Sequence, residues 1–176
     1  MHAKPGQLAM IVKAPEGETR TVYDGRTAFV IAPTTDRPIP LMELTGGDLD
    51  GAKLDAELFF PAGIKQALRQ WRVTFPSTID DHEVQVLQGT SDGRYPINLY
   101  FDKNSGLLLR QVRYTESPLG LNPTQVDYAD YRPVAGVQIP FKRTITWLDG
   151  RSIIQLTDVQ PNVPVDAAKF ERPRAK

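Results

Sequence analysis

The sequence predicts a mainly β (α+β) fold: an antiparallel sheet left open as a half-barrel, with two short helices across its concave face. Three observations predict it. Turn signals recur at short intervals along nearly the whole chain, and the segments between them alternate apolar and polar residues. Strands are never interleaved with helices, as a parallel βαβ array would require. Helical spacing is confined to residues 48–71.

The composition agrees. A chain of 176 residues that is 40% hydrophobic has the size and content of one globular domain, and 13 glycines with 15 prolines punctuate it throughout. Twenty-one basic residues balance 21 acidic ones, so neither a nucleic-acid partner nor an anionic surface is predicted. The absence of cysteine removes disulfides, Cys-zinc sites, thiol nucleophiles and CxxCH haem attachment from this stretch of chain. No apolar run is long enough for a spanning helix, and no signal-peptide core opens the sequence. Residues 1–176 are expected to form a single domain of a longer exported protein that continues upstream of Met1.

Taking the elements in order, residues 7–13 alternate, with Leu8, Met10 and Val12 on one face. Pro15-Glu16-Gly17 turns the chain, residues 19–23 return, and Asp24-Gly25 is a hairpin signal ahead of residues 27–31. A three-strand meander follows from this. Residues 33–47, rich in Pro and Gly, are expected to cross the surface as a loop. Leu49, Ala52, Leu54, Ala56 and Leu58 suit a short helix capped by Asp48. Pro61 suits the first turn of a second helix, whose Ile64, Leu68 and Trp71 recur at i, i+4 and i+7. From there the pattern is β: residues 72–75, 83–88, 95–101, 107–114, 125–131, 137–147 and 151–159, with one helical turn at 166–170.

The search for chemistry is mostly negative. GxSxG, GxGxxG and GxxxxGK[ST] are absent, and Gly89-Thr90-Ser91-Asp92-Gly93 reads as a turn. Asp80-Asp81-His82-Glu83 offers adjacent ligands that point to opposite faces of a strand, so no metal site is predicted and a solvated hairpin tip is. Asp102, Asn104 and Gly106 begin like a calcium loop, but residue 113 is Arg where that loop needs its acidic ligand. No enzyme and no cofactor is predicted. What remains is the sheet itself. Ile97, Leu99 and Phe101 share one parity, as do Leu108, Val112 and Tyr114, and Ile139, Phe141, Ile145 and Trp147. Arg110 and Arg143 interrupt the last two stripes. Each arginine suits either a carboxylate partner at the sheet margin or a polar anchor in an apolar cavity.

Several segments resemble LolA/LolB-like lipoprotein carriers. They are Lys4-Pro5-Gly6-Gln7-Leu8, followed by Val22-Tyr23-Asp24-Gly25-Arg26-Thr27-Ala28-Phe29-Val30-Ile31-Ala32-Pro33. Further on come the hairpin Leu99-Tyr100-Phe101-Asp102-Lys103-Asn104-Ser105-Gly106-Leu107-Leu108 and the ending Val165-Asp166 with Phe170-Glu171-Arg172-Pro173. The resemblance implies an 11-stranded open half-barrel with a helical lid and an acyl-chain ligand carried in the periplasm. Lys4 stands where the carriers have a lid-holding arginine, and Met10 where they have an aromatic. The carriers' first strand has no counterpart, so residues 7–13 are expected to be an exposed edge capable of homodimer formation. A narrower likeness, Asp127–Arg132 through Gly136–Phe141 with Asn162–Asp166, is to a module of secreted bacterial cytochrome c-like proteins.

The expected function is thus an envelope module, periplasmic or peripherally associated with the outer membrane. Its expected ligand is an apolar small molecule or acyl chain, lying among Met10, Phe29, Ile64, Leu68, Trp71, Leu99, Phe101, Leu108, Arg110, Phe141, Arg143 and Trp147. The alternative is a structural or interaction module of a larger exported protein, with no ligand of its own.

Overall fold

The computed structural model describes residues 1–15, 17–32, 41–60, 63–90 and 95–172. Expectations for residues 33–40, Pro61, the 91–93 part of the glycine turn, Glu16 and Pro173 lie outside that set. The chain forms two compact units, Met1–Ala67 with Pro164–Lys176, and Leu68–Val163.

In the first unit, β1 (His2–Lys4), β2 (Gln7–Ala14), β3 (Gly17–Tyr23), β4 (Ala28–Ile31) and β5 (Leu41–Leu44) form an antiparallel sheet in that order. The predicted meander is β2–β3–β4. Asp24 makes its second turn: Oδ1 accepts from the Arg26 and Thr27 amides, both at 2.7 Å, while Gly25 takes φ +103°. Burial by itself raises the Asp24 pKa, but these hydrogen bonds outweigh it and hold the carboxyl below its usual value.

Two expectations are corrected here. Residues 41–44 are a strand, because Leu41–Leu44 pairs with the otherwise open side of β4. The edge expected at Gln7–Lys13 is covered only over Gln7–Ala9, where β1 folds back, pairing His2 with Ala9 and Lys4 with Gln7 through Gly6 at φ +71°; among the described residues Met10–Lys13 have no strand on that side. The register puts Ala9, Val22 and Phe29 on one face and Leu8, Tyr23 and Ala28 on the other. Phe170, from a 3-10 turn at Ala167–Phe170, and Val165 pack on Ala9 and Val22. Leu49, Ala52 and Ala56 of helix α1 (Gly46–Glu57) pack with Tyr23 and Ala28. Thr45, and not Asp48, occupies the position before α1, and Asp48 falls in its first turn.

In the second unit, β6 (Arg69–Val73), β8 (His82–Thr90), β9 (Pro96–Asp102), β10 (Leu108–Ser117), β11 (Gly120–Val134), β12 (Val137–Trp147) and β13 (Gly150–Gln155) form one antiparallel sheet. The short β7 (Ser77–Ile79) pairs with β8. From β8 to β13 each strand pairs with its neighbour in sequence, and among the described residues neither sheet closes on itself. The turns after β7 and β11 are those the sequence marks, whereas the β10–β11 turn between Ser117 and Gly120 falls where the sequence marked none. Asp80 and Asp81 both take positive φ between β7 and β8, and so do Ala135 and Gly136 between β11 and β12.

The second helix is the largest departure. The predicted stripe over Ile64, Leu68 and Trp71 breaks after one turn, α2 (Ile64–Ala67), and Trp71 lies in β6. Gln70 takes φ 51°, which no helix continues through. Pairing of Arg72 and Val73 with Gln88 and Leu87 wins over the helical pattern because the open side of β8 offers backbone partners to a β-prone segment, with one irregularity between Arg69 and Arg72.

Candidate functional site

One feature of the strand register defines the candidate site. Phe101 pairs with Leu108, but one step further Tyr100 pairs with Arg110, so β10 carries a bulge between Leu108 and Arg110. The bulge reverses the parity of every residue beyond it. Leu99 therefore stands beside Gln111, Gln111 beside Val126, Val126 beside Ile145, and Tyr128 beside Arg143. Leu87, Ile97, Leu99, Phe101, Leu108, Val126, Tyr128, Phe141, Arg143, Ile145 and Trp147 fall on one face of the sheet, and Gln111 and Arg113 join them.

This face is apolar with a narrow polar seam. Leu99 and Gln111 are fully withdrawn from solvent, and Ile97, Val126, Tyr128 and Phe141 are buried. The Tyr128 hydroxyl donates to Gln111 Oε1 at 3.1 Å, and the Arg143 guanidinium lies 5.9 Å from the centre of the Tyr128 ring. Arg132 stacks at 4.4 Å on the Phe141 ring. The Tyr131 hydroxyl donates to the Leu108 carbonyl at 2.5 Å, bracing the bulge from the adjacent strand β11. Burial pushes the Tyr131 phenol up to about 12, so it remains a neutral donor.

The predicted site residues separate accordingly. Leu99, Phe101, Leu108, Phe141, Arg143 and Trp147 share the face. Leu68 and Trp71 join it by another route: a Cβ on Gly89 would lie 2.9 Å from Leu68 Cβ and 3.1 Å from Trp71 Cε3, so both side chains seat directly on the bare backbone of β8. Arg110 does not share it. The bulge turns it to the opposite face, where its Nε donates to Asp127 Oδ1 at 2.5 Å, one of the two roles the sequence allowed. Gln111 and Arg113 were missed because strict alternation was carried through the bulge; the run Leu107-Leu108-Leu109, which breaks alternation, was its signal.

Met10, Phe29 and Ile64 belong to the first unit. Met10 and Phe29 fall on opposite faces of the five-stranded sheet, since Met10 pairs with Thr21 and Phe29 with Val22. Phe29 is 1% exposed, and the Arg172 guanidinium stacks on its ring at 5.0 Å. Ile64 is half-buried in α2.

The hairpin motif after β9 proves to be architectural. Asp102 Oδ1 accepts from the Ser105 amide at 2.6 Å, from Ser105 Oγ at 2.7 Å and from the Asn104 amide at 3.1 Å, while Oδ2 lies 3.0 Å from His82 Nδ1. These hydrogen bonds, those from Ser105 foremost, lower the Asp102 pKa to about 2. His82 is thereby engaged with the β9 hairpin, and no group of three or more metal-ligating side chains occurs among the described residues.

This architecture is found in solved structures. A LolA superfamily protein from Nitrosomonas europaea superposes with a TM-score of 0.53 at 17% identity, over 89% of this chain and 74% of the other. An outer membrane lipoprotein-sorting protein domain from Vibrio parahaemolyticus superposes with the same TM-score of 0.53 at 12% identity, over 94% and 87%. No family model matches the sequence, and no curated protein does. The fold is thus the LolA-like one, the mainly β open half-barrel that the sequence motifs predicted.

Proposed function

We propose that this protein is a non-enzymatic module of the bacterial envelope, periplasmic or outer-membrane associated, that holds an apolar ligand such as a lipid or a lipoprotein acyl chain. The supporting observation is the continuous apolar face running from Leu68 and Trp71 through Leu99, Phe101 and Leu108 to Phe141. Gln111, Arg113, Arg132 and Arg143, with Gln85 and the Tyr128 hydroxyl, are polar groups set among it, and sites that bury an apolar body orient it by such polar groups. The fold it shares with a lipoprotein-sorting domain supports the same reading.

Purified protein is expected to bind a lipophilic dye saturably, to release it to a long-chain fatty acid, and to melt at higher temperature with that acid present. A dye signal that no fatty acid competes, with an unchanged melting temperature, would sink the proposal. It would favour the second reading, an interaction module with a filled face, for which the complete burial of Leu99 and Gln111 speaks.

A further inference from the structure

Strand β11 carries a break in its backbone, and a charged cluster is built on that break. Of the six non-glycine residues with positive φ among those described, only Gln70 and Asp130 lie inside strands. Asp130 takes φ 54° between Ala129, paired with Lys142, and Tyr131, paired with Pro140. Residues held in the left-handed region persist where their surroundings fix them, and they gather at ligand sites. Here the surroundings are side chains. Asp130 Oδ1 accepts from Arg132 Nε at 3.0 Å, and Oδ2 accepts from Arg132 Nη2 at 2.6 Å and from Gln155 Nε2 of β13 at 3.2 Å.

The clasp fixes the Arg132 guanidinium 4.4 Å from the centre of the Phe141 ring, a buried member of the apolar face. Asp130 occupies one edge of the guanidinium, Nε and Nη2. The remaining N–H groups donate to no described residue, and half of the side chain is open to solvent. A guanidinium laid flat on a ring with its donor edge free matches a carboxylate or a phosphate, which it can grip with two parallel hydrogen bonds. Charge favours the same partner. Lys142 and Arg143 follow Phe141 on β12, so the cluster of Asp130, Arg132, Lys142 and Arg143 is positive in a chain whose total is zero. An ion pair this exposed adds little to stability, so stability alone does not account for a left-handed aspartate inside a strand.

We propose that Arg132 binds the anionic head of an amphiphile, a carboxylate or a phosphate, whose chain lies along the apolar face past Phe141. Asp130 is the positioning residue: it takes up one edge of the guanidinium and so turns the other outward. The chain then runs over Tyr128 and Leu108, on the two strands beside Phe141. The inference rests on the reading of that face as a ligand site and adds the class of head group. A neutral head would leave the free guanidinium edge to water and gain nothing from it, so charge sets the specificity.

Displacement of a lipophilic dye from the full chain by hexadecanoate, hexadecyl phosphate and hexadecanol, each below the concentration at which it self-associates, tests it. At least one of the two anions is expected to compete about tenfold more tightly than the alcohol, the low end for a hydrogen bond to a charged group. The tighter anion identifies the head, carboxylate or phosphate. Arg132→Gln is expected to erase this margin while hexadecanol competes as before. Asp130→Asn keeps a residue that tolerates the left-handed region and an acceptor for Arg132, but removes the opposing charge; it is expected to widen the margin about threefold. Melting curves without ligand report whether each variant folds, and if Arg132→Gln does not, the margin in Asp130→Asn decides. Equal competition by all three ligands, a margin that survives Arg132→Gln, or one that fails to widen in Asp130→Asn would overturn the proposal. Displacement by none of the three would sink the ligand reading of the face itself, and this inference with it.

Discussion

At the scale of single residues, Asp102 shows how a polar side chain earns a buried place. It gathers two backbone amides, a hydroxyl and an imidazole around one carboxylate, and every one of those contacts favours the charged form. Its pKa is depressed in the folded state, so its stabilising effect is complete above the unfolded value of 3.8 and is lost as pH falls through about 2. Urea midpoints measured from pH 5 downward should therefore decline between about pH 4 and 2, and Asp102→Asn should flatten that decline. An unchanged acid limb in the variant would show that the carboxylate is not what the hairpin depends on. Arg110 and Arg143 make the complementary point. The sequence offers both as interruptions of an apolar stripe, yet one bulged residue separates them, leaving Arg143 beside Tyr128 and sending Arg110 to Asp127.

Elements were legible wherever local chemistry decided them. Asp24-Gly25, Asp102-Lys103-Asn104-Ser105-Gly106 and Ala135-Gly136 mark turns because their side chains or positive φ values specify the turn directly. The alternation of residues 95–101 and 137–147 reads correctly because each strand has one buried face. The misses share another cause. β1, β5, β7 and the strand that replaces the second helix each exist because a neighbour has an open ladder, and that information lies far away in sequence. Of the candidate site, the apolar members were readable by parity, whereas Gln111 and Arg113 depended on a bulge that only strand pairing reveals. The seat of β6 on β8 yields an element-scale prediction. Gly89→Ala would force a Cβ to 2.9 Å from Leu68 Cβ, a main-stem atom with little room to yield. It should destabilise the fold by about 1–3 kcal/mol, the usual cost of overpacking. A denaturant midpoint equal to the parent's would show that Leu68 and Trp71 can move aside.

At the scale of the whole molecule, the two units differ in how they draw on the chain. Residues 68–163 are contiguous, and from β8 onward each strand pairs with the one just before it. The other unit joins residues 1–67 to residues 164–176, and Phe170, 2% exposed, completes the cluster over Ala9 and Val22. Phe170→Ala should cost about 3–5 kcal/mol. Hydrogen exchange should show the loss first in β2 and β3, with the β8–β12 amides still protected; uniform loss would mean that the two units melt as one. The position of Phe170 also carries a consequence for biogenesis. Chains are synthesised from the N-terminus, so the middle of this one can zip its ladders together as it emerges. The first sheet must wait, its Ala9–Val22 surface uncovered, until Val165 and Phe170 have been made. Of the two sheets, the one made first is thus the last to be sealed, and until then it is the natural target for a holding chaperone.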